Sequence, residues 1–467
     1  IFTGGNFFML EILNSIDGFI WGPPLMMLLM GTGILMSVRL GLLQVMKLPK
    51  ALQLIFTARS KGEGDVSSFQ ALCTALAATV GTGNIVGVAT AIKLGGPGAL
   101  LWMWLAAFFG MATKYSEGVL AVKYRTYDEN GNASGGPMYY IEQGLGKKFK
   151  PLAVMFSIFG VMTACLGSGT FTQVNAITSI VNVSFGVSEY VVAAILTVLV
   201  AVVIIGGLQS IANVASKIVP FMAAVYVIVT VSVLVFYADA LPAAIKLVID
   251  GAFNGTAAAG GFAGAGIMLA MRSGVARGVF SNESGLGSAP IVAAAAKTNW
   301  PAEQGLVSMT GTFIDTIIIC TMTGLSLIVT GVWNGELNGA AMTNAAFTSA
   351  FPAFGSWLLL VGLVLFAFTT ILGWNYYGER CVEYLMGVKA ILPYRIGFII
   401  LVACGPFLKL EEIWVMSDIV NGLMALPNLI ALVALSGVVV AETKAYQQHL
   451  KEEAELVPVK LAEETNH

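Results

Sequence analysis

The stretch SSFQALCTALAATVGTGNIVGVATAIKLGG, residues 67–96, is long and apolar enough to cross a bilayer, yet Gly81, Thr82, Gly83 and Asn84 interrupt its middle. A spanning helix needs roughly 20 mostly apolar residues. Unwound backbone at membrane depth is tolerated only where it lines a cavity enclosed by protein. At such a break, freed N–H groups attract anions and freed carbonyls coordinate cations. A second stretch, AAAGGFAGAGIMLAMRSGVARGVFSNESGLG (257–287), reads the same way, with Gly260, Gly261, Gly264 and Gly266 near its outer half. Glycine in a membrane helix also serves close packing, and Gly83 with Gly87 has that spacing. Two interrupted spans at matching positions, one with an Asn beside its glycines, favour a binding site instead. An amino acid carries a carboxylate and an ammonium a few ångströms apart. A pair of broken helices therefore suits a zwitterion that moves together with a cation. GTGNIVG is not a dinucleotide fingerprint, because the glycine spacing is wrong and no strand precedes it.

The rest of the chain agrees with a membrane setting. It is 57% hydrophobic and 11% charged, with a mean hydropathy of +0.83, whereas soluble domains carry roughly 25% charged residues. Eleven apolar runs are predicted to span, near 20–40, 68–94, 98–124, 151–182, 188–206, 216–239, 261–285, 303–331, 354–378, 393–409 and 414–440. The segment 45–58, punctuated by Lys and Pro, reads as an interfacial helix. The two broken spans each open a set of five, and an odd repeat length gives inverted topology. The expected organisation is an extra N-terminal transmembrane helix with the interfacial helix (1–67), a first five-helix repeat (68–240), a second, inverted one (241–441) and a cytoplasmic tail (442–467). With the N-terminus outside, twenty basic residues fall on the cytoplasmic side, Arg272 and Arg277 among them. Only Lys93, Lys246 and Lys409 fall outside, a strong positive-inside bias.

Several function classes drop out. The net charge of −2 recommends no nucleic-acid partner. The five cysteines show no CxxC spacing, so neither a disulfide framework nor a zinc site is indicated. His449 and His467, the only histidines, lie in the polar tail. That removes a buried His base or a His-ligated metal, and no nucleophile motif suggests an enzyme. No segment is large and polar enough for a nucleotide-binding domain. A channel would need a symmetric filter or a ring of charges, and neither is visible. No cleavable signal peptide is recognisable.

Longer strings are more specific. GGPGALLWMWLAAFFG (95–110), VGTGNIVGVATAI (80–92), GGPMYYIEQGLG (135–146), RSGVARGVFSNESGLGSAPI (272–291), GTFIDT (311–316) and GWNYYGE (373–379) resemble blocks of the alanine/glycine:cation symporter family. They run from the second span to the ninth, so the resemblance covers essentially the whole chain. It implies a leucine-transporter-like fold: an all-α polytopic membrane protein of eleven transmembrane helices, with a 5+5 inverted repeat and one extra N-terminal helix. It also implies sodium- or proton-driven uptake of alanine and glycine across the cell membrane.

By the same resemblance, a sodium site would take carbonyls from Ala77, Val80 and Phe366 and hydroxyls from Thr369 and Thr370. The Thr pair has an alternative, bonding back to carbonyls one turn earlier. Substrate contacts are expected from Thr79, Gly81, Thr82, Gly83 and Asn84, from Phe171, Gln173 and Asn175, and from Trp374 and Asn375. The ammonium is expected on carbonyls around Gly264 and Gly266. Trp374 or Phe171 would limit side-chain size. Asp315, a charge at membrane depth and so a functional candidate, either tunes the cation site, relays a proton, or accepts hydrogen bonds from nearby hydroxyls. Lys114 and Glu117, three apart on one helix, are expected to pair.

Overall fold

A computed structural model describes residues 3–57, 62–254, 263–407 and 410–464 of the chain. It is built almost wholly of helices. The first group is α1 (Thr3–Ile20), α2 (Pro23–Arg39), α3 (Leu43–Met46) and α4 (Leu48–Thr57). Then come α5 (Ser68–Thr79), a π-helical turn (Gly83–Gly87), α6 (Val88–Gly95) and α7 (Ala99–Lys123). A two-stranded hairpin, β1 (Thr126–Tyr127) and β2 (Ala133–Ser134), leads to α8 (Pro137–Gly144), α9 (Lys150–Leu166), α10 (Phe171–Phe185), α11 (Glu189–Ile204), α12 (Gly207–Phe236) and α13 (Leu241–Phe253). The remainder is α14 (Ala263–Asn282), α15 (Pro290–Ala293), α16 (Pro301–Thr312), a π-helical segment (Phe313–Cys320), α17 (Thr321–Val329), α18 (Gly339–Ala350), α19 (Gly355–Met386), α20 (Ile391–Cys404), α21 (Leu410–Ala434) and α22 (Ser436–Glu464).

Among the described residues, seven helical stretches are long and apolar enough to cross a membrane, or eight when α5 and the 83–95 helix, bent by 54°, count as one span. The other three expected spans are helices that do not meet that measure. Ala99–Lys123 and Ala263–Asn282 carry Lys114, Glu117, Arg272 and Arg277, and Glu189–Ile204 is only 16 residues long. Lys114, Glu117 and Arg277 return in the site described below. The 151–182 run is also not one uninterrupted helix, because Gly167–Thr170 separates α9 from α10.

Packing follows the apolar faces. α7 lies against α14 and α16, α5 against α12 and α19, and α9 against α19 and α21. α1 packs on α21 and α2 on α7, so the N-terminal pair clamps the outside of this core. The first helix of the core starts cleanly: Ser67 and Gln70 cap each other's backbone reciprocally. The bundle has two distinct ends. One carries the hairpin and the 62–67 and 294–300 segments, joined by a bridge between Val66 and Ala296. The other opens into a vestibule of about 770 Å3 between α6, α10, α18, α19 and α21.

Candidate substrate and cation site

The helix of α5 stops at Val80 because Gly81 turns its N–H to the Asn84 side-chain oxygen at 2.9 Å instead of continuing the helical ladder. The carbonyls from Ala77 to Val80 thereby lose their usual helical donors. α19 meets this opening face to face. Thr370 donates to the Phe366 carbonyl at 2.9 Å, and its oxygen lies 3.5 Å from the Val80 carbonyl. Gly81 is required by this approach, since a Cβ there would sit 2.5 Å from the Thr370 hydroxyl oxygen. Thr369 bonds back to the Leu365 and Phe366 carbonyls at 3.0 Å each, beside the Met222 sulfur. Ala77, Val80, Phe366, Thr369 and Thr370 are all buried at this contact. Neutral oxygens in such a cluster suit a monovalent hard cation.

The second break lies elsewhere than the glycine pattern suggests. Gly260 and Gly261 are outside the described residues, while Gly264 and Gly266 belong to the continuous helix Ala263–Asn282. Gly266 precedes Glu283 by about 25 Å of helix, so the structure does not bring it to the first break. The chain unwinds instead over Glu283–Ala289, where Glu283, Gly285 and Gly287 have φ of +56°, +89° and +85°. Glycines in the earlier stretch serve packing: Gly95 lies on Ala270, and Gly274 on Ala99. These contacts also set the level of Arg272 and Arg277, which lie toward the vestibule end and not the hairpin end. They therefore do not share an end with Lys123, Arg125 and Arg380, with which the positive-inside tally groups them.

The two breaks and the α9–α10 interruption face one narrow chamber, lined by Thr79, Gly81, Gly83, Ser168, Gln173, Phe280, Glu283, Thr370, Trp374 and Asn421. Gln173 is fixed by donating to Thr82 Oγ1 at 3.1 Å and to the Ser168 carbonyl at 3.0 Å. Its oxygen has no partner. Asn421 donates to Ser168 Oγ at 3.3 Å, and its oxygen is likewise unpaired. Other expected residues sit apart from the chamber. Asn175 lines the vestibule and donates to the Phe171 and Gly405 carbonyls. Phe171 is buried at the start of α10, and Asn375 is fully buried with neither amide atom paired. Asn84 turns away, its amide donating to Asp315 Oδ1 at 2.7 Å.

Asp315 is also the acceptor for Ser281 at 2.9 Å and Thr316 at 2.8 Å. It thus ties both broken helices to the π-helical segment, a backbone irregularity common at functional sites. Lys114 and Glu117 do not form the ion pair their spacing suggests. Lys114 donates to the Asn282 carbonyl at 2.9 Å, while Glu117 accepts from the Gly285 N–H at 3.1 Å and from Asn428 at 2.6 Å. Both side chains brace the second break from behind. Glu283, Asn421 and Ser168 escaped sequence reasoning as chamber residues. A signal existed, in that SNESGLG concentrates small and polar residues at the end of an apolar helix.

Between chamber and vestibule stands a barrier. Phe280 and Trp414 pack with ring centroids 5.9 Å apart, and Arg277 grips Asp418 through two bonds of 3.1 and 2.7 Å. Trp21 of the N-terminal pair donates to the Asp418 carbonyl at 2.9 Å. At the hairpin end the closure is thicker. Arg380 pairs with Glu383 at 2.5 Å, Glu379 at 3.0 Å and Asp128 at 3.6 Å, and Arg395 adds Glu379 at 2.6 Å. Burial pushes the Asp128 carboxyl up, but hydrogen bonds from Asn132 and Asn130 outweigh it and hold the group below its ordinary value.

Known proteins share both the sequence and the fold. The chain is 57% identical over 443 residues to an uncharacterized transporter from Haemophilus influenzae, covering 94% of this chain and 97% of the relative. It is 49% identical over 452 residues to the sodium/alanine symporter AgcS of Methanococcus maripaludis, covering 95% and 98%. A probable sodium/glutamine symporter of Bacillus subtilis, GlnT, is 37% identical over 452 residues, 95% of this chain and 92% of that one. Among solved structures, a manganese transporter mutant from Eremococcus coleocola superposes with a TM-score of 0.52 at 12% identity, covering 82% of each chain. That likeness is one of fold alone. The sequence pattern of one transporter family spans residues 6–460, and with these relatives it shows that the chain belongs to the sodium:alanine symporter family.

Proposed function

We propose that this protein couples sodium entry to the uptake of small neutral amino acids, alanine and glycine, by alternating access. The observation that carries the reading is the chamber itself: freed carbonyls and Thr370 at the first break adjoin a pocket walled by the second break. Ala77, Val80 and Phe366 carbonyls with the Thr369 and Thr370 hydroxyls would hold sodium. The N–H groups of Thr82 and Gly83, at the start of the 83–95 helix, would take the substrate carboxylate; the Gly81 N–H, expected to join them, is instead committed to Asn84. Trp374 and Phe280 narrow the space left for a side chain. That wall favours alanine and glycine over a glutamine-sized substrate. Three donors on Asp315 favour its reading as a tie between helices over a proton relay.

Eleven transmembrane helices in two inverted five-helix repeats fit the positions of the breaks, at the first helix of each half. The vestibule end faces outside, the hairpin end and C-terminus face the cytoplasm, and the N-terminus is outside. An open vestibule at one end and the Arg380 network at the other support an outward-facing conformer. One sodium ion crossing 100 mV releases about 2.3 kcal/mol. A tenfold sodium gradient adds about 1.4 kcal/mol, so 1:1 coupling would concentrate substrate roughly 500-fold. The first test is thermal stabilisation of the purified protein. Alanine is expected to raise Tm in sodium and not in equimolar potassium. A shift of the same size in both salts would refute sodium-coupled binding.

A further inference from the structure

Glu283 is 3% exposed and one of two non-glycine residues with positive φ among the described residues. Such a conformation is strained for a residue with a side chain and persists where surrounding structure enforces it. The enforcement is visible: Glu117 and Asn428 hold Gly285, Tyr140 donates to Asn428, and Lys114 holds the Asn282 carbonyl. The result is a carboxylate aimed into the chamber. Ser288 donates to its Oε2 at 2.5 Å. The Trp374 indole, in the same wall, is its other polar neighbour.

The charge balance around it is incomplete. Lys114 faces three buried carboxylates, those of Glu117, Asp315 and Glu283. Asp315 has its donors from the protein, Glu117 is held through Oε1 while its Oε2 is unpaired, and neither of the two lines the chamber. Glu283 is the one that fronts the chamber, and a buried charge requires a partner. Two further acceptors converge on the same space, the unpaired oxygens of Gln173 and Asn421. The amide nitrogens of both are already committed to Thr82 and Ser168, which leaves their oxygens as the atoms free to accept from a ligand. Three acceptors, one of them charged, match a group with three N–H donors and one positive charge.

We propose that Glu283, with the Gln173 and Asn421 oxygens, seats the primary ammonium of the substrate, which makes a free α-amino group the strict requirement of this transporter. The inference rests on the amino-acid reading of the chamber. The proposed sodium ligands at the Thr370 corner of the chamber, the Val80 and Phe366 carbonyls and the Thr370 hydroxyl, do not include Glu283, so stabilisation by sodium alone is read separately from alanine affinity. In Glu283→Gln, alanine affinity should fall roughly 30-fold, the scale expected for removing one partner of a buried charge pair, while sodium alone still stabilises the protein. Unchanged alanine affinity in Glu283→Gln would overturn the proposal.

A measurement on the wild-type protein guards against a variant that fails to fold. Carbodiimide modification of Glu283, followed by mass spectrometry, should be blocked by alanine and not by lactate, which has the same skeleton without the amine. Equal protection by lactate, or none by alanine, would contradict the assignment. If wild-type protein binds no alanine in sodium, the functional reading has failed instead. Protection of Glu283 by methylammonium, a bare primary amine, would then still uphold the ammonium seat, and its absence would remove it.

Discussion

Thr370 and Thr369 are adjacent and both buried, but they serve different neighbours. Thr370 bridges the Phe366 and Val80 carbonyls across two helices, whereas Thr369 stays on its own helix. Replacing Thr370 with Ala would remove an oxygen from the proposed cation site, an expected loss of about 2 kcal/mol or roughly 30-fold in sodium affinity. Thr369→Ala should cost less, and sodium titration of alanine uptake compares the two. Gly81→Ala is expected to act through Thr370, because the added methyl collides with that hydroxyl; overpacking of this kind costs about 1–3 kcal/mol. A Gly81→Ala protein with unaltered sodium dependence would show that the Thr370–Val80 contact is irrelevant to the ion. At this scale the sequence was informative where backbone geometry follows from residue type, as at Gly81, Asn84 and Gln173. Glu283 reads from sequence as a partner of Arg272 and Arg277 in an inner gate, whereas Arg277 pairs with Asp418 and Glu283 lines the chamber, because a glutamate after an apolar helix looks like any helix end until its φ is known.

Among elements, the first broken helix was legible and the second was misplaced, and the reason is physical. Glycine permits both a break and a close helix contact, and the 260–266 cluster and Gly274 cannot be told apart from sequence. What makes the second break is the run of positive φ at Glu283, Gly285 and Gly287, held by Glu117 and Asn428 from other helices. Long-range donors of that sort have no local signature. The α9–α10 interruption was hidden by the apolar residues on both sides of Gly167 and Gly169. The Arg380 network makes an element-level statement about conformation. Arg380→Ala leaves Glu379, Glu383 and Asp128 without that partner at the hairpin end, and breaking a buried pair in this way costs about 3–5 kcal/mol. The hairpin end should open. Hydrogen exchange of residues 126–134 is expected to rise in Arg380→Ala while that of α18 stays unchanged. Equal protection in both proteins would mean the network is not the closure.

For the whole molecule, composition and hydropathy give the membrane class, and the strings from the second span to the ninth give the family. Hydropathy alone understates the helices that matter most. Ala99–Lys123 is polar for a spanning segment because it carries Lys114 and Glu117 into the centre of the bundle, and Ala263–Asn282 because it carries Arg272 and brings Arg277 to Asp418. Burying those charges is unfavourable unless each finds a partner. The protein satisfies most of them internally and leaves open the groups that face the chamber. On the proposed reading coupling has a simple basis: sodium at the neutral oxygens of the first break and an ammonium at Glu283 would each supply the positive charge that groups facing the chamber lack. Uptake of labelled alanine into proteoliposomes, under an inward sodium gradient against an equal potassium one, tests this account most directly. The expected result is accumulation above equilibrium that requires sodium and is lost in Thr370→Ala. Accumulation that is indifferent to sodium and follows a pH gradient would contradict it.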